Sequence, residues 1–125
     1  MNNTKQTILI IDDDSRNIFA LSAILKAKGF FTRAASGMKE AFALLQNDAS
    51  VAVLLLDMMM PDMDGYEAID RLKAADDYRH LPVIAVTAQA MTGDRERCLA
   101  AGADAYVSKP VDIDLLVGLL KKYVQ

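Results

Sequence analysis

Five short apolar runs divide the chain, and most are followed by a stretch in which apolar residues recur at helical spacing. That alternation permits few folds. The longest run, Val51 to Leu56, has six consecutive apolar residues before it meets Asp57. A run of this length bounded by polar residues reads as a strand buried on both faces. Strands of that kind separated by helices predict parallel pairing, because parallel neighbours need a crossover and a helix supplies it. The expected architecture is α/β: five βα units, doubly wound, forming a five-stranded parallel sheet with helices on both faces.

The units are legible one by one. Thr7 to Ile11 is the first strand, and Ile18, Leu21, Ile24 and Leu25 mark a helix closed by Gly29, where a left-handed cap fits. Phe30 to Ala34 is a short second strand. Ser36 is the expected cap of a helix with Met38, Ala41, Phe42 and Leu45 on its apolar face. The third strand ends at Asp57. Asp64 and Glu67 have capping-box spacing ahead of Ala68, Ile69 and Leu72. The fourth strand, from Pro82, ends at Thr87, and a helix runs from about Thr92 to Gly102. The fifth strand is Ala105 to Ser108. Asp112 caps a last helix carrying Ile113, Leu116, Leu120 and Tyr123. No linker, repeat or low-complexity tract interrupts the pattern, so residues 1–125 are expected to form one domain, as the length allows.

Composition removes several classes of function. With 53% apolar and 25% charged residues the chain reads as soluble and globular. A net charge of −3 favours neither nucleic acid nor an anionic membrane. No apolar run approaches the roughly 20 residues of a membrane span, and the first residues lack a signal-peptide layout. Cys98, the one cysteine, excludes an internal disulfide and a multi-cysteine metal site, so a reducing, cytoplasmic setting is expected. His80, the one histidine, lies in a charged connection and is expected to be exposed.

What the strands deliver is more informative. The first runs into Asp12, Asp13 and Asp14, the third into Asp57, the fourth into Thr87 and the fifth into Lys109 and Pro110. In an open parallel sheet the carboxyl ends of the strands form one crevice, where ligands bind. If strands one and three are neighbours, at least two carboxylates come close together. Either one of them then holds a proton or a cation sits between them. Oxygen-only ligands suit Mg²⁺ better than zinc. Asp14 or Ser15 can instead cap the first helix. Acids, a hydroxyl and an ammonium together describe a phosphoryl site: one carboxylate is the nucleophile, while Mg²⁺, Lys109 and Thr87 neutralise oxygens of the transferred group. Before transfer Lys109 pairs with Asp57.

At these residues the chain resembles the receiver domain of bacterial two-component signalling, the CheY-like family, over essentially its full length. The matching motifs are Ile-Ile-Asp-Asp-Asp at 10–14, Leu-Leu-Asp-Met-Met-Met-Pro-Asp-Met-Asp-Gly at 55–65, Val-Ile-Ala-Val-Thr-Ala at 83–88 and Tyr-Val-Ser-Lys-Pro at 106–110. The resemblance implies a flavodoxin-like sheet of strand order 2-1-3-4-5. It makes Asp57 the phosphoacceptor, Asp13 a direct and Asp12 a water-mediated holder of Mg²⁺, and Met59 a ligand through its backbone carbonyl. Lys109 contacts the phosphoryl group, Thr87 moves to it, Tyr106 takes the place of the switch aromatic, and the Lys109–Pro110 bond is cis. The stretches at 14–17 and 89–102 are similar to receivers of hybrid histidine kinases.

The implied function is a phosphorylation-dependent switch in a phosphorelay. It accepts phosphate from a histidine kinase or a histidine phosphotransfer protein, catalyses its own phosphorylation and slow dephosphorylation, and turns over no external substrate. An unnamed downstream protein would read the face of the fourth helix, fifth strand and fifth helix. Three other readings compete with this one. A haloacid-dehalogenase-like phosphatase would make Asp12 the nucleophile and leave Asp57 without a role. A dinucleotide-binding module would need glycines where Asp12 to Asp14 stand. A docking module that is never phosphorylated would not need the acid, Thr and Lys set.

Overall fold

The structure, a computed structural model, describes residues 6–61, 64–88 and 93–124. The strands are β1 (Thr7–Ile11), β2 (Phe31–Ala35), β3 (Val51–Asp57), β4 (Val83–Thr87) and β5 (Ala105–Ser108). The helices are α1 (Ser15–Ala27), α2 (Met38–Asn47), α3 (Gly65–Ala74), α4 (Asp94–Ala101) and α5 (Ile113–Leu120). All five strands are parallel, in the order β2-β1-β3-β4-β5. The chain leaves β1 toward one side and returns to β3 on the other. The ends of β1 and β3 are therefore the point where the winding reverses.

The sheet separates two apolar cores. Leu54 and Leu56 of β3 face the core under α2, α3 and α4, with Ala41, Leu45, Ile69, Leu72 and Cys98. Val53 and Leu55 face the core under α1 and α5, with Leu25, Leu116 and Leu120. Burial on both sides explains why β3 reads as an unbroken apolar run rather than an alternating one. β2 is an edge strand and its burial alternates along its length.

Local chemistry sets the helix ends. Asp14 Oδ1 accepts from the Arg16 amide and caps α1, so the capping reading holds for Asp14. Gly29, at φ +94°, follows the end of α1 in the left-handed region that glycine tolerates best. Asp64 and Asp112 cap α3 and α5 through backbone amides. β4 begins at Val83 rather than Pro82, and α5 ends at Leu120, short of Tyr123. Two further sequence expectations need correction. The second strand is Phe31–Ala35, one residue later than expected, and Phe30 instead packs into the α1/α5 core. Gly37, not Ser36, stands at the start of α2, and the Ser36 amide donates to Glu40 Oε1 at 2.5 Å. Thr92, the expected start of the fourth helix, lies outside the described residues, and α4 begins at Asp94.

Candidate phosphoryl site

Asp57 is the last residue of β3 and is 6% exposed, while Asp12, just beyond β1, is 7% exposed. Backbone pairing fixes both. The Met58 amide donates to the Val86 carbonyl at 2.8 Å and the Asp12 amide to the Ala35 carbonyl at 3.1 Å. The side chains are held by the turns that follow them. Asp57 Oδ1 accepts from the Met59 amide, and Asp12 Oδ1 from the Asp14 amide, each at 2.9 Å. Each acid is thus aimed by an amide two residues further on, a geometry that a carboxylate at a strand end adopts readily.

Asp12, Asp13 and Asp57 bring one oxygen each to within 4.8 Å of one another; Asp13 is the exposed member. Burial raises the Asp12 carboxyl above the usual carboxylate value. The negative charge of Asp57 and a hydrogen bond shared with it act in the same direction, while the Asp14 amide and Lys109 oppose them. Three oxygens at this spacing, open to water on the Asp13 side, fit a hard divalent cation that keeps several waters, and Mg²⁺ is that kind of ion. Lys109, just past β5, sets its Nζ 3.6 Å from Asp57 Oδ1. Its own amide donates to the Thr87 carbonyl at 2.8 Å, which ties the ammonium to the end of β4. The Lys109–Pro110 peptide bond is cis.

Thr87 closes β4 and is 2% exposed. Met59 is 41% exposed beside Asp57, whereas Met60 is buried and Met58 packs on the α2/α3/α4 core. Tyr106 lies on β5 opposite Ala85 of β4, and its hydroxyl donates to Asp94 Oδ2 at 3.1 Å. Asp94 escaped the sequence reading. An acid in the first turn of a helix looks like compensation of the helix dipole, and nothing in the order of residues shows that two tyrosines reach it.

On the α1 side the site opens into a cleft of about 350 Å³ that runs from Asp12, Asp57 and Lys109 along Leu21, Ile24 and Val111. The expected apolar stripe of α1 is therefore divided. Leu25 is fully buried, Ile18 and Leu21 are half-buried, and Phe19 is 76% exposed.

A buried carboxylate at the winding reversal of a 2-1-3-4-5 sheet, with two more acids and a lysine beside it and a threonine at the end of the next strand, defines the class: a doubly wound α/β domain with an acidic ligand crevice at its strand ends. The response regulator receiver domain family matches residues 8–121, and the chain belongs to that family, the phosphorylation-dependent signalling domains of two-component systems. It is 34% identical over 119 residues to the polar-differentiation response regulator DivK of Brucella anthropi, covering 95% of this chain and 96% of that protein. The receiver domain of a Pseudomonas aeruginosa sensor histidine kinase, solved with a magnesium ion in its active-site cleft, superposes with a TM-score of 0.82 at 31% identity. That match covers 95% of this chain and 97% of the other. A response regulator receiver protein from Pseudomonas putida superposes with a TM-score of 0.88 at 25% identity, over 97% of this chain and 99% of that one.

Proposed function

We propose that Asp57 accepts a phosphoryl group from a phosphohistidine on a histidine kinase or a histidine phosphotransfer protein, and that the chain passes the signal on as a switch or a relay. The observation that carries this reading is the grouping of Asp12, Asp13 and Asp57 within 4.8 Å, with the Lys109 ammonium 3.6 Å from Asp57. An Asp57 oxygen attacks phosphorus, the imidazole N–P bond breaks and an acyl phosphate forms. Lys109 neutralises charge on the transferred group and Thr87 gives it a hydrogen bond. Asp12, Asp13, Asp57 and the Met59 carbonyl would hold Mg²⁺, which supplies the positive charge that lets a dianion approach three acids. The same groups, given a water, would remove the phosphate slowly, and no external substrate is turned over.

The donor is expected to dock on α1. Exposed Phe19 and the cleft lined by Leu21, Ile24 and Val111 offer an apolar surface that ends at Asp57. A donor helix laid there puts its histidine in line. The downstream protein is expected to read the rim of α4, β5 and α5, where Leu99 and Leu115 are exposed. Neither role calls for nucleic acid or a membrane, and among the described residues no helix is long and apolar enough to cross one. A cytoplasmic setting goes with this reading, since Cys98 is a buried free thiol. Residues 1–125 are taken as one receiver domain.

The test is labelling by acetyl phosphate, with beryllofluoride as the stable analogue. Wild type with Mg²⁺ should be modified at one site. Removal of Mg²⁺ and Asp57→Asn should each abolish modification, and Asp13→Asn should weaken Mg²⁺ binding in an NMR titration. Undiminished labelling of Asp57→Asn would refute the assignment.

A further inference from the structure

Asp94 opens α4, yet its carboxylate is spent on side chains of two other elements. The Tyr66 hydroxyl of α3 donates to Oδ1 at 2.6 Å, and the Tyr106 hydroxyl of β5 donates to Oδ2 at 3.1 Å. One acid thus joins α3, α4 and β5. The surroundings hold this arrangement in place. The Arg97 guanidinium carbon lies 3.9 Å from the centroid of the Tyr66 ring, and the fully buried Cys98 brings its Sγ to 4.0 Å from the Tyr66 hydroxyl. The hydrogen bond to Asp94, followed by burial, raises the Tyr66 hydroxyl well above its ordinary value, and burial followed by Asp94 raises that of Tyr106. Both phenols therefore stay protonated and remain donors at neutral pH.

We propose that Asp94 is a positioning residue for the switch: its bond to Tyr106 holds the resting state, and release of that bond frees the start of α4 from β5. The proposal rests on the reading of Asp57 as the phosphoacceptor and Thr87 as the hydroxyl that moves. Ala85 is the register partner of Tyr106, and Thr87 lies two residues further along β4, on the face it shares with Ala85. That is the face toward α3 and α4, where Tyr106 also packs. If Thr87 moves to the phosphoryl group, the Tyr106 ring can follow it only by taking its hydroxyl away from Asp94 Oδ2. Tyr66 keeps its own oxygen, so Asp94 stays tied to α3 while its link to β5 is lost. A side-chain movement at the sheet thereby alters how α4 is held.

Linkage gives the test. A contact made only in the resting state opposes any ligand that selects the other state, so removing it must tighten that ligand's binding. Beryllofluoride affinity is measured at saturating Mg²⁺ by NMR titration of the full chain. Asp94→Ala and Tyr106→Phe should each tighten binding by about threefold to tenfold, the range expected for the net contribution of one part-buried hydrogen bond. The double variant should gain nothing beyond the single variants, because both remove the same bond. Tyr66→Phe, which leaves the Tyr106 bond intact, should stay within about twofold of wild type. Tyr106→Phe keeps the ring and tests the bond even if Asp94→Ala folds poorly. Unchanged or weaker binding in Tyr106→Phe overturns the proposal, as does an equal gain in Tyr66→Phe. A wild type that binds no beryllofluoride overturns the Asp57 reading, and the latch with it.

Discussion

Asp57 has a mixed charge environment, with two carboxylates within 4.8 Å and an ammonium at 3.6 Å. Lys109 therefore acts in two opposed ways. It offsets the repulsion among the acids, and it repels any cation that comes to the same place. Lys109→Met should tighten Mg²⁺ binding severalfold, because one positive neighbour is gone. The same variant should slow labelling by acetyl phosphate by about tenfold or more, because charge on the transferred group is no longer neutralised. An NMR titration with Mg²⁺ and a labelling time course separate the two effects. Loss of both would mean that Lys109 mainly maintains the geometry of the site. The placing of Asp57, Thr87 and Lys109 at one end of the sheet could be read from the chain because each stands at the end of an apolar run, where a polar residue calls for a reason. Asp94 could not, because its partners are 28 and 12 residues away and sit on other elements.

α1 and the turn between α2 and β3 show where periodicity is informative and where it stops. The spacing of Ile18, Leu21, Ile24 and Leu25 identifies a helix, but it cannot say that only Leu25 is fully covered. Leu21 and Ile24 line the cleft beside Asp57. Phe19, 76% exposed, contributes little to the core, so Phe19→Glu should leave the melting temperature almost unchanged. It should slow transfer from a protein donor while labelling by acetyl phosphate survives; equal loss of both would point to damage in the site itself. The one-residue shift of β2 has a similar origin. Phe30 and Phe31 are both apolar, and on an edge strand the pattern does not show which of them turns inward. Past the end of α2, Asp48 accepts the Ser50 hydroxyl at 2.5 Å and the Ser50 amide at 2.9 Å, with Arg33 of β2 alongside. These bonds favour the charged form and hold the Asp48 carboxyl below its ordinary value of 3.8. A lowered folded value means that the contribution is fully present above the unfolded value and is lost as pH falls through the folded one. Asp48→Asn should thus be destabilised in urea melts at neutral pH, and its difference from wild type should close as the pH drops below 3.8.

At the scale of the whole molecule, one sheet serves two cores, and the site lies on the line where they meet. Hydropathy made the five units and both helix layers legible. The strand order was not legible in this way, because an apolar run carries no record of which run pairs with it; only the resemblance to receivers implied 2-1-3-4-5. The order matters for the switch. It makes β5 an edge strand, with α4 packed on one side and α5 on the other. These three elements therefore form a continuous rim that a partner can reach, and Thr87 on β4 is one strand away from it. Asp57 itself lies deeper, where only a small surface is open. The direct route from Asp57 to that rim runs from β3 through β4 to β5, and a bias of about a few kcal/mol on an existing equilibrium is enough to carry a signal along it. Beryllofluoride should therefore move NMR resonances from Asp57 out to α4, β5 and α5, in Asp94, Tyr106 and Leu115 among others. Thr87→Ala keeps Asp57, the acids and Lys109, so the ligand should still bind, but the hydroxyl proposed to lead Tyr106 is gone. In that variant the shifts should stay within the acidic crevice. A wild type whose shifts also end there would show that the rim is not coupled to Asp57, and a Thr87→Ala variant whose shifts still reach α5 would show that coupling takes a path other than β4.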